Sequence, residues 1–358
     1  MQDMSAVFKV FSGRRVFITG HTGFKGSWLA LILHEAGAEV MGFALKPATT
    51  PNHFDLLNLD KKIKHVEGDI RHSLLLAQTI NEFKPEFIFH LAAQALVKPS
   101  YDNPADTFST NVLGSVNLLD AVRGCDSVRS LTYITSDKCY ENVEWVWGYR
   151  ENDRLGGRDP YSASKAAAEL VFSSYVSSFF SKRKTLGLAT ARAGNVIGGG
   201  DWAQHRIVPD CIRAIQAGKP ILLRNPRATR PWQHVLEPLA GYLLLGAKLY
   251  QEPGRWAGSW NFGPSTQEVR TVQEVSEILI RHLGSGSIEI VESENQIHEA
   301  NLLQLNCDKA HQLLNWHPRW DSKKTLEATA DWYRSLLGGG DAEEVTRRQI
   351  YEFFPELA

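Results

Sequence analysis

Cysteine is scarce and scattered. The four residues Cys125, Cys139, Cys211 and Cys307 share no CxxC or CxxH spacing, which argues against a disulfide framework and a cysteine-based zinc site and sets the expectation of a reducing, cytoplasmic setting. An excess of one charge is also missing. With 39 basic and 40 acidic side chains the net charge is −1, so no global field draws the chain to nucleic acid or to an anionic membrane, and a small-molecule partner is expected. No apolar run approaches the roughly eighteen residues of a membrane span. The stretch Met1–Arg15, with Asp3, Lys9, Arg14 and Arg15, has no apolar core for a signal peptide, so a soluble chain is expected. Internal repeats and low-complexity tracts are lacking too. What is present, 43% apolar and 22% charged residues over 358 positions, excludes disorder and implies two lobes, or one large α/β domain with an extension.

From Arg15 to about residue 191 a unit of β-branched apolar run, turn and apolar-periodic segment recurs with variations, which is the texture of βαβ architecture. Strands are expected at Val16–Thr19, Glu39–Ala44, Lys64–Glu67, Phe87–Leu91, Leu131–Thr135 and Leu186–Ala191. They are short runs of the kind that a parallel sheet buries on both faces. Helices are expected at Ser27–Ala36, Ser73–Phe83, Thr107–Arg123 and Ala163–Phe180, with local stops at Gly37, Pro85 and Gly124. The fold class is therefore α/β, a Rossmann-type doubly wound parallel sheet over 1–191. A smaller, irregular substrate lobe over 192–358 follows, with some of it crossing back to the first domain. Nine of the ten tryptophans lie from residue 145 onward, either filling a small core or offering a platform for a sugar or base.

Val16–Gly26 places a strand before Gly20-His21-Thr22-Gly23-Phe24-Lys25-Gly26 and a helix after it. In that context Gly20 permits the tight turn, Gly23 admits main-chain N–H groups to a pyrophosphate, and Gly26 allows close packing of helix on strand, while the helix N-terminus presents free donors. A dinucleotide site follows. The second strand ends in Gly42-Phe43-Ala44-Leu45-Lys46, without the acid that grips an adenosine ribose, so NAD and NADP stay open on these residues. Gly68-Asp69-Ile70 offers a carboxylate for the adenine amino group, or a helix cap.

Tyr161-Ser162-Ala163-Ser164-Lys165 spaces a phenol and an ammonium by one helical turn, so that the cation can favour phenolate and lower a pKa of about 10. Beside a nicotinamide, such a phenolate is a base for an alcohol whose carbon gives up hydride. About one connecting loop upstream, the fifth strand ends in Thr135-Ser136-Asp137-Lys138-Cys139-Tyr140, where Ser136 can bond the same substrate oxygen as Tyr161.

Together with His90-Leu91-Ala92-Ala93-Gln94, Thr110-Asn111-Val112-Leu113-Gly114, Ala191–Gly198 and Arg230-Pro231-Trp232-Gln233-His234-Val235, these motifs resemble the extended short-chain dehydrogenases/reductases, and within them the nucleotide-sugar 4,6-dehydratases, from about Val16 to Trp332. The turn Gly20–Trp28 and the run Thr135–Tyr140 are most similar to members acting on CDP-glucose. The resemblance implies a lyase that binds NAD in the first lobe and a nucleoside-diphosphate sugar between lobes, making CDP-4-keto-6-deoxyglucose for bacterial surface polysaccharide. It assigns the cofactor to Gly20, Gly23, Phe24, Lys25, Gly26, Asp69, Ile70, Leu91, Ala92, Ala93, Tyr161 and Lys165.

The chemistry follows from an inert C–H bond. Water leaves C5 and C6 of glucose only after C4 has become a ketone, because the ketone acidifies C5. The resemblance gives Tyr161 the C4 oxidation, with Ser136 and Lys165, and gives Asp137 the proton for the departing 6-hydroxyl. The next position, commonly Glu in the family, removes the C5 proton; here it is Lys138, either a neutral base or a cation beside the C5 enolate. Arg230 and Asn195 are implied at the diphosphate, and Gln94, Ser100 and Asn111 at the hexose or behind the catalytic helix. His298 stands where a second phosphate-binding arginine is usual. Trp202 and Trp232 are candidates for the base, and a homodimer is implied through helices Thr107–Arg123 and Ala163–Phe180. A nucleotide-sugar 4-epimerase, another sugar-nucleotide dehydratase and a non-catalytic dinucleotide sensor are the competing readings.

Overall fold

The computed structural model describes residues 3–265, 269–291 and 302–358. Its sheet strands are β1 (Arg15–Thr19), β2 (Glu39–Ala44), β3 (Lys64–Glu67), β4 (Phe87–His90), β5 (Ser130–Ile134), β6 (Gly187–Arg192) and the late strand Gly258–Asn261. The spatial order is Gly258–Asn261, β6, β5, β4, β1, β2, β3, and all neighbours run parallel. This is the doubly wound arrangement, with its reversal of strand order between β1 and β4, where ligands of such sheets bind.

The central strands bury both faces. In β1, Val16 and Ile18 join one core cluster while Phe17 joins the other; in β4, Phe87 and Phe89 oppose Ile88 in the same way. A two-residue period thus feeds two hydrophobic layers. Helix α2 (Phe24–Glu35) is apolar all round, with every residue from Gly26 to Leu33 buried. It packs on β1 and β2 and is flanked by helix Leu236–Gln251 and the short helix His53–Leu56, so little of its surface needs to be polar.

Three differences from the expected elements have physical causes. Helix α1 (Ser5–Phe11) was not anticipated; Met4, Val7, Phe8 and Phe11 form its buried stripe, and the Phe11 ring meets Phe87 at 4.8 Å. The expected helix Thr107–Arg123 begins as Pro104–Phe108, widens into a π-turn at Ser109–Leu113 and resumes at Gly114–Arg123. Helix Pro160–Tyr175 starts earlier than expected because the Asp159 side chain caps the Ser162 N–H, and it too ends in a π-turn, at Val176–Phe180.

After β6 the chain forms small two-stranded pairs: Val196–Ile197 with Gln233–His234, Thr229–Pro231 with Val269–Thr271, and Ile221–Leu223 with Ile288–Ile290. Strand Gly258–Asn261 returns to the main sheet beside β6. Most of the tryptophans fill space. Trp28, Trp260, Trp316 and Trp332 are fully buried, and Trp202 packs edge-on against Tyr333. Among the described residues no helix is long and apolar enough to cross a membrane.

Candidate active site

At the turn after β1 the backbone leaves no room for side chains at two positions. Gly20 has φ +79°, and a Cβ on it would fall 2.7 Å from the Ala92 nitrogen; a Cβ on Gly26 would fall 2.1 Å from the Gly20 carbonyl oxygen. Gly23 caps α2 and would place a Cβ no closer than 3.4 Å to anything, so its bareness keeps the space in front of the helix open. A cradle of this shape, facing a helix N-terminus, fits a dinucleotide pyrophosphate.

The turn opens into a cavity of about 1260 Å³ that runs over the C-terminal ends of the strands. Gly20, Gly23, Phe24, Lys25, Gly26, Asp69, Ile70, Leu91, Ala92 and Ala93 line one part of it. Ser136, Asp137, Lys138, Tyr161, Lys165, Asn195 and Arg230 line the rest. The Asp69 carboxylate is held by the Arg71 guanidinium and main-chain N–H, which keep its pKa below the usual value; it forms a local turn and caps no helix. Lys46 pairs with Glu67 at 3.8 Å on the surface beyond β2.

Tyr161 and Lys165 share one face of helix Pro160–Tyr175, as their spacing requires. The expected lowering of the phenol pKa is not what the geometry produces. Burial pushes Tyr161 up to about 12, against a hydrogen bond with Ser136 that pulls it down, and burial brings Lys165 down to about 8. The Lys165 ammonium lies over the Tyr161 ring, 6.0 Å from its centre, and desolvation is the largest influence on both groups.

Ser136 serves the loop as well as the phenol. Its Oγ donates to Asp137 Oδ1 at 2.8 Å and accepts from the Lys138 N–H at 3.2 Å. Asp137 is buried against Gly194, where a Cβ would lie 1.8 Å from Oδ2, so only glycine at 194 admits this carboxylate. Two groups facing the same cavity were missed by sequence reading, Asp201 and Arg206. They pair at 2.9 Å, and the Asp201 charge holds Arg206 firmly protonated. Lys25 is brought down to about 8 by burial and by the nearby positive Arg206, against the attraction of Asp137. The sequence signal for this group was a cation directly before a helix and five residues after an aspartate, in a segment whose glycines otherwise read as loop.

The remaining expected residues divide. Ser100 Oγ accepts from the Tyr161 N–H at 3.2 Å, and Asn111 Nδ2 donates to Ser164 Oγ at 2.8 Å and to the Gln94 carbonyl at 3.0 Å. Both hold the helix that carries Tyr161. The Gln94 amide is spent on Leu96 and Thr107 and does not line the cavity. Asn195 adopts φ +52° at the cavity wall, and Arg230 sits in the ladder Thr229–Pro231. Trp232 lines the cavity whereas Trp202 does not. His298 lies outside the described residues. Among those described, no group of three or more His, Cys, Asp or Glu side chains is placed to hold a metal ion.

Comparison with known proteins agrees with this geometry. Residues 17–329 match the family model described as GDP-mannose 4,6 dehydratase. The chain is 46% identical over 347 residues to a CDP-glucose 4,6-dehydratase of Salmonella typhimurium, covering 96% of this chain and 97% of that one. It is 28% identical over 338 residues to human GDP-mannose 4,6 dehydratase, covering 84% and 86%. A dTDP-glucose 4,6-dehydratase from Streptomyces venezuelae, solved with NAD bound, shares the fold at TM-score 0.78 and 24% identity over 91% of this chain and 99% of that one. The UDP-glucose 4-epimerase of Thermus thermophilus in complex with NAD gives 0.76 and 26% over 89% and 99%. With the glycine cradle, the Tyr161/Lys165 helix and the Ser136–Lys138 loop on one cavity, and with a family match over most of its length, this chain belongs to the GDP-mannose 4,6-dehydratase family of extended short-chain dehydrogenases/reductases.

Proposed function

We propose that the protein catalyses the NAD-dependent 4,6-dehydration of CDP-D-glucose to CDP-4-keto-6-deoxy-D-glucose. One observation carries this reading: the oxidation pair Tyr161/Lys165 and the second pair Asp137/Lys138 line the same cavity as the dinucleotide cradle. A 4-epimerase needs the first pair alone. The similarity over 96% of the chain to a CDP-glucose 4,6-dehydratase supports the choice of sugar nucleotide.

NAD fits the residues present. Gly20, Gly23 and Gly26 clear the pyrophosphate turn in front of a helix N-terminus. Held there, NAD would supply a hydride acceptor for C4 and a hydride donor for C6.

The chain's own groups move the protons. Tyr161 takes the proton of the 4-hydroxyl, steadied by Ser136, while Lys165 stabilises the phenolate that catalysis transiently requires. The resulting ketone acidifies C5. Asp137 delivers a proton to the departing 6-hydroxyl, and Lys138, standing next to it in the loop, serves C5, where the proton leaves and later returns. Arg230, Arg206 and Asn195 face the cavity where a diphosphate must lie. Planar guanidinium groups suit two phosphate oxygens at once.

The test is incubation with CDP-glucose and catalytic NAD. The expected result is a 4-keto-6-deoxy product with no net NADH; a C4 epimer without loss of water overturns the reading. For assembly we propose a homodimer through the helices containing Leu113, Leu170 and Phe179, which are 50%, 60% and 47% exposed in the single chain. Light scattering is expected to give twice the chain mass.

A further inference from the structure

Behind the catalytic loop lies a buried ion pair that the mechanism above does not use. Glu169 stands one turn beyond Lys165 on helix Pro160–Tyr175, Arg192 ends β6, and both side chains are 3% exposed. The pairing is bidentate: Arg192 Nε donates to Glu169 Oε1 and Nη2 to Oε2, each at 2.8 Å. Taking two charges out of water is costly unless the geometry is good and further hydrogen bonds satisfy the remaining lone pairs and protons.

Here those further bonds go to segments that carry the reaction. Thr135 Oγ1 donates to Glu169 Oε1 at 2.5 Å, from the residue directly before Ser136. Arg192 Nη1 donates to Tyr140 Oη at 2.7 Å and to the Glu151 carbonyl at 3.0 Å. Tyr140 Oη in turn donates to Asn261 Oδ1 at 2.8 Å, and Thr190 and Ser259 bind the pair from β6 and its neighbouring strand. The loop Ser136–Cys139 is therefore pinned at both ends, by Thr135 and by Tyr140, to one ion pair. That pair is rooted in the helix bearing Tyr161 and Lys165. The phenol that begins C4 oxidation and the Asp137/Lys138 pair that carries elimination are held in register by a single buried device.

We propose that the Glu169–Arg192 pair is a positioning element for the elimination step, acting through Thr135 and Tyr140 to hold Asp137 and Lys138 against the Tyr161 side of the site. The assignment rests on the dehydratase reading above. It predicts that loosening the loop weighs more on elimination than on oxidation, since Tyr161 and Lys165 are carried by the helix, whereas Asp137 and Lys138 are carried by the loop together with Ser136, which only assists Tyr161. A displacement of about 1 Å in a reacting group is enough to slow a step by about a hundredfold.

Glu169→Gln is the obvious substitution, but it leaves the Arg192 charge buried without its partner and endangers folding. Thr135→Val instead removes one donor at nearly constant volume, and Tyr140→Phe releases the other end of the loop. In single-turnover experiments with NAD and CDP-glucose, both variants are expected to form NADH at a rate within about threefold of the unsubstituted enzyme, yet to lose water about 10–100 times more slowly, so that NADH accumulates. In the protein without cofactor or substrate, amide exchange across Ser136–Tyr140 is expected to quicken in both. Thr135→Ser, which keeps the donor, is expected to restore both measurements. Equal slowing of oxidation and elimination, unchanged amide exchange, or a Thr135→Ser variant that behaves like Thr135→Val overturns the proposal. Should the unsubstituted enzyme form no keto-deoxy product, the dehydratase reading fails instead, and the exchange experiment still decides whether the ion pair holds the loop.

Discussion

Gly194 is bare because Asp137 occupies the space a side chain would need. A methyl group there would sit 1.8 Å from the carboxylate, so Gly194→Ala must push Asp137 off its position. We expect that variant to bind NAD normally and to lose dehydration by about a hundredfold, measured as keto-sugar formation beside a cofactor titration. Tyr161→Phe should remove the base for C4, lowering NADH formation by about 10²–10⁴-fold in a single turnover. Lys138→Ala separates the two halves of the chemistry: transient NADH is expected to persist while solvent exchange at C5 disappears. Normal exchange in that variant would remove Lys138 from the mechanism.

At the scale of elements, the glycine turn makes two different demands. Gly26→Ala would set a carbon 2.1 Å from the Gly20 carbonyl, which forces α2 away from β1. Both Tm and NAD affinity are expected to fall. Gly23→Ala meets nothing closer than 3.4 Å, so its Tm is expected to stay unchanged while NAD binding weakens, because the added methyl faces the phosphate side. Calorimetric titration and thermal unfolding separate the two outcomes. The π-turn at Ser109–Leu113 shows what periodicity leaves out. One extra residue in the turn brings Asn111 inward to Ser164, and apolar spacing carries no mark of that widening. Helix α1 is the opposite case. Met4, Val7, Phe8 and Phe11 are spaced as a helical stripe, and the stripe was legible in a segment read only for a signal peptide.

At the scale of the whole molecule, four buried imidazoles among the described residues set the acid limit. His21, His53, His90 and His234 are at most 2% exposed, and burial lowers each to a pKa of about 3. An unfolded histidine titrates near pH 6.5. Between those values the unfolded chain binds more protons, so the contribution is present above pH 6.5 and is lost as pH falls toward 3, by about 2 kcal/mol per residue at pH 5. Glu237 works the other way. Burial raises it to about 7, although the main-chain N–H groups of Arg319 and Trp320 bind the carboxylate. Its folded state holds a proton between about pH 4.5 and 7, and that contribution is lost as pH rises through 7. Four groups outweigh one, so denaturant midpoints are expected to drop steadily from pH 6.5 to 5; a flat profile would contradict neutral buried histidines.

The sheet, the dinucleotide turn and the Tyr161/Lys165 pair were written in local sequence. They depend on periods of two and of 3.6 residues, and on glycines demanded by contacts within a few positions. The family motifs add Asp137, Lys138 and Arg230. Tertiary structure alone decided which of these groups meet and in what charge state. It raised the Tyr161 phenol by burial although the nearby lysine had suggested the reverse. It brought Arg206 and Asp201 to the cavity, and it joined Thr135, Tyr140, Glu169 and Arg192 into one network. Those outcomes depend on desolvation and on distances between residues far apart in the chain, and neither quantity exists until the sheet has closed around them.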